Sequence, residues 1–215
     1  TLESSENNLQ KKEDLPRINS AGKHHLSHLT DVLDLSRIEN DEIGIDVSTF
    51  DLNDFVQDVV SNTSSLVARN NNKFVLDCPS KLGRISTDAT KLRQAALNLI
   101  RNAAKFTTDG VITLSVRRER SSVGDWIELQ VADTGIGIAP SDIDKLFANF
   151  RQASHSTASR YGGTGLGLAH SQKLCGLLGG RISVKSELDK GSKFSIRIPA
   201  SLDIIRTSSS VNRQM

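Results

Sequence analysis

Disulfide chemistry is the first thing this sequence lacks. Its 215 residues include only two cysteines, Cys78 and Cys175, too few for a covalent framework. Cys78 sits in an apolar strand-like stretch and Cys175 in a helix-like one, so reduced, buried thiols and a cytoplasmic setting are expected. An excess of one charge is also missing: 27 Lys and Arg stand against 25 Asp and Glu, for a formal net charge of +2. No basic run points to nucleic acid or to an anionic membrane surface, and neither partner is expected. No apolar run approaches the ~18 residues of a membrane span, and no signal peptide is recognisable, so these residues are not expected to enter a membrane. Internal repeats are absent. What remains is an ordinary globular composition, 37% hydrophobic and 24% charged, long enough for one good core plus an appendage.

What is present is organised around Lys91 to Gly110, K-L-R-Q-A-A-L-N-L-I-R-N-A-A-K-F-T-T-D-G. At helical spacing Leu92, Ala95, Ala96, Leu99, Ile100 and Ala103 form an apolar stripe. Asn98, Asn102 and Lys105 follow at i, i+4 and i+7, which lines up two amides and an ammonium on another face. Asparagines on a fairly apolar helix are costly without partners. Internal hydrogen bonds would satisfy them, and so would a hydrated metal with phosphates.

Before this helix, Thr1 to Pro16 is polar and reads as a frayed end or the stub of another helix. Leu15, Ile18, Gly22, His25, Leu29, Val32 and Ser36 then follow a 3-4 spacing, the narrow seam of a coiled arrangement that needs a second helix, most simply from a second copy of the chain. Ile45 to Leu52 reads as a strand, Asn53 to Arg69 as a helix and Asn70-Asn71-Asn72 as a turn. Lys73 to Asp77 and Arg84 to Thr87 read as strands, and Asp88 is placed to cap the central helix. Thr108-Asp109-Gly110 reads as a hairpin-type turn. It leads into strands Val111 to Arg118 and Trp126 to Ala132, which are linked by Ser121 to Asp125. A short helix, Ser141 to Phe147, follows Pro140, and Arg151 to Tyr161 is polar and Ser-rich. Leu166 to Leu178 reads as a helix ended by Gly179-Gly180, and Arg181 to Ser186 and Lys193 to Ile198 as the last strands. A disordered tail is expected from Ser201. The order predicts an α+β fold: a two-layer sandwich of a mixed sheet with helices on one face, preceded by a coiled-coil-like helix.

Two further segments carry chemistry. In Val131-Ala132-Asp133-Thr134-Gly135-Ile136-Gly137-Ile138 a carboxylate ends an apolar strand. It can accept from an exocyclic amine, and Gly135 and Gly137 let backbone approach a flat ring. Gly162-Gly163-Thr164-Gly165-Leu166-Gly167-Leu168 opens a helix, where free N–H groups and the positive dipole end suit phosphate. It follows a polar loop instead of a strand, so the dinucleotide pattern does not apply, and the Walker Gly-Lys-Ser/Thr is absent.

Taken in order, these strings resemble the sensor histidine kinases. N-L-I-R-N-A-A-K-F-T resembles their N box, D-T-G-I-G-I their G1 box, L-F-A-N-F-R-Q their F box, Y-G-G-T-G-L-G-L-A their G2 box, and D-K-G-S-K-F the final Gly-rich turn. The resemblance runs from about Pro16 to Pro199, and the later wording is most like the hybrid kinases. It implies a partial dimerisation region over 1–44, a catalytic ATP-binding domain over 45–200 and a tail over 201–215. The implied cofactors are ATP and Mg²⁺. The implied partners are a second copy of the chain and a response-regulator receiver domain, and the implied setting is the cytoplasm, whether in a soluble protein or in the cytoplasmic part of a larger membrane-bound sensor.

The resemblance also implies residue roles. Asn102 matches the Mg²⁺ ligand, Asn98 the polar residue one turn earlier that orders the metal shell or water, and Lys105 the phosphate-contacting lysine. Phe106 matches the aromatic beside adenine, and Asp133 the carboxylate that reads the adenine amino group. Gly135 and Gly137 give the base room, and Ser192 joins its water network. Gly163, Thr164, Gly165, Leu166 and Gly167 match the phosphate-facing hinge of a lid over about Ala139 to Thr164, with Arg160 a candidate for the terminal phosphate. One family string is missing: nothing resembles the H-E-x-R-T-P context of the phosphoacceptor. His24, His25, His28, His155 and His170 lack it, so the acceptor is unknown. A regulatory or scaffold module that binds nucleotide is the alternative. ATPases of the chaperone, gyrase and mismatch-repair type need a glutamate where Asn98 stands.

Overall fold

The computed structural model describes residues 44–122, 124–144, 146–147 and 167–202. The expected dimerisation helix and its seam lie outside these residues, as do Arg160, Gly163, Thr164, Gly165, Leu166 and the tail beyond Leu202. The described residues belong to a compact unit beginning at Gly44.

The strands are β1 Ser48–Asp51, β2 Lys73–Asp77, β3 Arg84–Thr87, β4 Val111–Ser121, β5 Gly124–Asp133, β6 Arg181–Glu187 and β7 Gly191–Pro199; the helices are α1 Leu52–Ala68, α2 Ala89–Phe106, the one-turn α3 Pro140–Ile143 and α4 Gly167–Leu177. Five strands form one sheet in the order β2-β4-β5-β7-β6, while β1 and β3 pair separately. β2 runs parallel to β4 and every other pair in the large sheet is antiparallel, so the sheet is mixed. Helices α1, α2 and α4 cover one face of it, giving the expected two-layer α+β architecture.

Period-two alternation builds that sheet. Ile112, Leu114 and Val116 on β4, Ile127, Leu129 and Val131 on β5, and Phe194, Ile196 and Ile198 on β7 are all buried. The intervening residues form a polar outer face, where the Arg197 guanidinium sits 4.7 Å over the Trp126 ring and pairs with Glu119 at 3.0 Å. Against the inner face lies the α2 stripe. Leu92, Ala95, Ala96, Leu99, Ile100 and Ala103 are each at most 2% exposed, as the helical spacing predicts.

Several boundaries depart from the sequence reading. The first strand spans Ser48–Asp51 instead of Ile45–Leu52: its pairing with β3 begins at Ser48, and Asp51 ends it by capping α1, its carboxylate accepting from the N–H groups of Asn53 and Asp54. Leu52 therefore enters the helix. The β4–β5 hairpin continues until Ser121 pairs with Gly124, so the expected five-residue link is much shorter. Thr108-Asp109-Gly110 joins a helix to a strand, with Asp109 at φ 53°, and is not a hairpin turn. The helix after Pro140 is confined to Pro140–Ile143. Past the expected end of the domain, Ser201 bridges Ser86 and Leu202 is buried. Cys175 is buried, and burial pushes its thiol up to about 12, whereas Cys78 is half-exposed in a loop and not the expected buried thiol. Among the described residues no helix is long and apolar enough to cross a membrane.

Candidate functional site

Helix α2 carries three of the site residues and is held at both ends. At its start the buried Asp88 side chain accepts from the Lys91 N–H (3.0 Å), the Lys91 ammonium (2.6 Å) and the Asp46 N–H (3.0 Å). Burial pushes this carboxyl up, but those three donors outweigh it and hold it below its ordinary value. The sign of the linkage follows. A depressed carboxyl stabilises the fold above its unfolded value, and that contribution is lost as pH falls through the folded one. Asp88→Ala should cost about 2 kcal/mol at pH 7, the upper range for a helix cap, and less at pH 3, below the unfolded value. Urea unfolding followed by Trp126 fluorescence at both pH values measures the difference.

The other end is braced by the asparagine triplet. Asn70 Nδ2 donates to Ala104 O (2.9 Å), and Asn72 Nδ2 donates to Thr107 O (2.8 Å) while its Oδ1 accepts from the Gly110 N–H (3.0 Å). These bonds satisfy carbonyls that a helix C-terminus leaves open. The sequence reading took the triplet as a plain turn and missed this brace. A run of three amides just before a strand is the signal that was available.

Along the polar line of α2, Asn98 is already engaged: its Nδ2 donates to Ser171 Oγ on α4 at 2.8 Å, and that hydroxyl donates to Gly167 O at 2.9 Å. Gly167 is brought directly against it, since a Cβ there would come 2.6 Å from Asn98 Oδ1. Asn102, one turn further, is half-buried, and its side-chain amide makes no hydrogen bond among the described residues. Lys105 is half-buried, its ammonium 4.8 Å over the Phe106 ring, and burial pulls its pKa below the ordinary lysine value. A partly desolvated ammonium beside an uncommitted amide oxygen favours an anion with a hard cation.

Asp133 ends β5 opposite Ile112 on β4 and Ser192 on β7. Its Oδ1 accepts from the Gly135 N–H at 2.9 Å. Burial raises its carboxyl above the ordinary value, opposed by the N–H groups of Gly135 and Ser192 and by the Thr107 hydroxyl. The loop after it is seated on the protein's own backbone. Thr134 exchanges bonds with Val111, Ile136 N–H donates to Phe106 O, and Asp189 N–H donates to Ile136 O. Gly137, at φ +66°, has the Glu187 carbonyl where a Cβ would stand. Ser192 meets Ser186 Oγ at 3.0 Å. Ser186 spends its one hydroxyl hydrogen on Gly191 O and accepts from the Ile138 N–H, so Ser192 is the donor to it. Ser186 thus ties this loop to β6 and β7, a role its alternating strand sequence did not signal.

The structure therefore brings Asn98 and Gly167 together, and groups Phe106, Asp133, Gly135, Gly137 and Ser192 around the end of α2, just beyond Asn102 and Lys105. Among the described residues no three His, Cys, Asp or Glu side chains cluster as a metal cage. A single amide oxygen, such as that of Asn102, would suit an Mg²⁺ that arrives already held by phosphates, the usual habit of that ion.

The sequence profile of the family described as histidine kinase-, DNA gyrase B- and HSP90-like ATPases matches residues 87–202, from the strand end before Asp88 through the last described residue. The chain belongs to that family. Within it, the chain is 36% identical over 193 residues to the circadian input-output histidine kinase CikA of Synechococcus elongatus, covering 88% of this chain and 25% of the relative. It is 35% identical over 207 residues to the autoinducer 2 sensor kinase/phosphatase LuxQ of Vibrio vulnificus, covering 92% and 24%. Among solved structures, full-length ShkA in complex with AMPPNP aligns with a TM-score of 0.72 at 30% identity, covering 84% of this chain and 36% of that one. The chain thus spans about a quarter of the length of these curated relatives. It is the ATP-binding catalytic region characteristic of sensor histidine kinases.

Proposed function

We propose that this region binds Mg-ATP and presents the γ-phosphate to a histidine on a dimerisation helix, from which the phosphoryl group passes to an aspartate on a receiver domain. One observation carries the reading: the Asp133 carboxylate and the uncommitted Asn102 amide are anchored at the same end of α2, with Lys105 between them in sequence. Asp133 accepts from the adenine amino group, and the Phe106 ring flanks the base. Lys105 neutralises phosphate charge, and Asn102 would hold the Mg²⁺ that shields the phosphates. Asn98 and Gly167 fix the start of α4 against α2, where the phosphates end. Gly163, Thr164, Gly165 and Leu166 are assigned to that phosphate hinge, and Arg160 is the candidate for the terminal phosphate, on the family resemblance alone. Catalysis then consists of positioning and charge neutralisation, with a ring nitrogen of the acceptor as nucleophile in line with the leaving ADP oxygen. No carboxylate stands at Asn98 to activate water, which favours transfer over hydrolysis. The acceptor helix, a second copy of the chain and the receiver domain belong to the same proposal, as does a cytoplasmic setting.

Labelled ATP tests it. The chain alone should gain no acid-labile, base-stable phosphate, while a partner chain supplying the acceptor helix should be labelled in trans. Asn102→Ala should lower that labelling by roughly 100-fold and remove the Mg²⁺ dependence of ATP binding in calorimetry. Labelling in trans that survives Asn102→Ala, with Mg²⁺ dependence intact, would remove Asn102 from the site.

A further inference from the structure

Thr107 follows the last residue of α2 in extended conformation, φ −118°. It is 0% exposed, and no group meets its hydroxyl in hydrogen-bond geometry. A buried, unpaired hydroxyl is unfavourable, and valine would fill the same volume without one. The orientation of the side chain explains the oxygen. A Cβ on Gly110 would come 2.6 Å from the Thr107 methyl, whereas a Cβ on Gly135 would come 2.8 Å from its hydroxyl oxygen and 2.9 Å from Asp133 Oδ1. The methyl therefore faces the turn, and the hydroxyl and the carboxylate flank one point above Gly135. The hydroxyl is near enough to hold the Asp133 carboxyl down against burial.

We propose that Thr107 is a positioning residue whose buried hydroxyl donates to the Asp133 carboxylate and keeps that group ionised and aimed as an acceptor for a purine amino group. The assignment rests on reading Asp133 as the adenine contact. No charged side chain substitutes for the hydroxyl. Lys105 at the end of α2, Asp109 in the following turn, Lys193 beside Ser192 on β7, and Glu187, Asp189 and Lys190 at the β6–β7 turn are the charged residues at the ends of the elements that meet at Asp133; Arg117, Arg118, Glu119 and Arg120 on β4, Lys185 on β6 and Arg197 on β7 lie further along theirs. None of them contributes to its shift.

The test is the pH titration of the Asp133 carboxyl carbon by NMR in the intact chain, together with ATP affinity across the same range. Thr107→Val should move the Asp133 midpoint up by about one pH unit, the scale of one hydrogen bond to an ionised group. The acid-side loss of ATP binding should move with it, and Thr107→Ser should titrate as the parent does. Protonation of ATP itself is common to all variants and cancels. Equal shifts in the valine variant, which keeps the methyl, and the serine variant, which keeps the hydroxyl, would assign the effect to repacking at this position and overturn the proposal. So would an unmoved midpoint in the valine variant. Asp133→Asn separates the two levels: if it abolishes ATP binding while Thr107→Val leaves the midpoint unmoved, the adenine reading stands and the role of Thr107 falls. If it leaves ATP binding intact, the adenine reading falls, and a midpoint moved by Thr107→Val alone still shows the hydroxyl acting on the carboxylate.

Discussion

Asp133→Asn should weaken ATP binding by about 100-fold, the loss of a hydrogen bond to an ionised acceptor plus the facing of one amino donor by another. GTP, which offers a carbonyl where adenine offers an amine, should bind no worse than before. Stability should move differently. Because burial raises the Asp133 carboxyl, its ionised form is disfavoured by the fold at every pH above the folded value, and the penalty vanishes only below the unfolded one. Removing that charge should leave the urea midpoint at pH 7 unchanged or higher, even though the backbone N–H groups of Gly135 and Ser192 lose a charged acceptor. Calorimetry and urea unfolding on one preparation decide the matter. Unchanged ATP affinity would dismiss Asp133 as the base reader, and a collapse of both quantities together would make it a purely structural carboxylate.

Gly191→Ala should be the most damaging of the small substitutions. Gly191 sits at φ +107°, a backbone conformation that L side chains rarely adopt. A Cβ there would collide with the Asp133 carbonyl oxygen and press on Thr134 Cα, both of them backbone atoms without a rotamer to change. Backbone strain and overpacking together should lower the unfolding free energy by about 4 kcal/mol. The surviving folded protein should bind ATP poorly, because relief of the collision displaces the residue that carries the carboxylate. Asp189→Gly, two residues earlier and also left-handed at φ 61°, is the contrasting change and should be neutral or stabilising. Fluorescence of Trp126, the only tryptophan, reports both unfolding curves, and coincident midpoints for Gly191→Ala and the parent would refute the strain argument.

Much of this site could be read from the sequence where local rules act alone. The α2 stripe is a 3.6-residue period, and the structure buries all six of its members. The Asp88 cap needed only the placement of a carboxylate before an apolar helix. What escaped reading depends on partners distant in sequence. Nothing in Ser48–Asp51 says that it will pair with β3 outside the main sheet, since strand pairing is not a local property. Asn70 and Asn72 look like turn formers until the end of a helix 34 and 35 residues away is brought beside them. Gly135 and Gly137 were read as clearance for a base, yet their tightest neighbours are the Phe106 and Glu187 carbonyls. The sequence signal, two glycines after a carboxylate, is the same for both demands.

The double anchoring of α2 has a consequence for binding kinetics. With Asp88 and Lys91 locking its first turn and Asn70 and Asn72 locking its last, this helix has no fraying ends to order when a nucleotide arrives. If its asparagines and lysine contact the nucleotide as proposed, they meet it in a geometry fixed beforehand, and ordering entropy is not subtracted from affinity at this wall of the site. Any reordering that accompanies binding is then expected in the segments packed around α2, with the helix as their fixed reference.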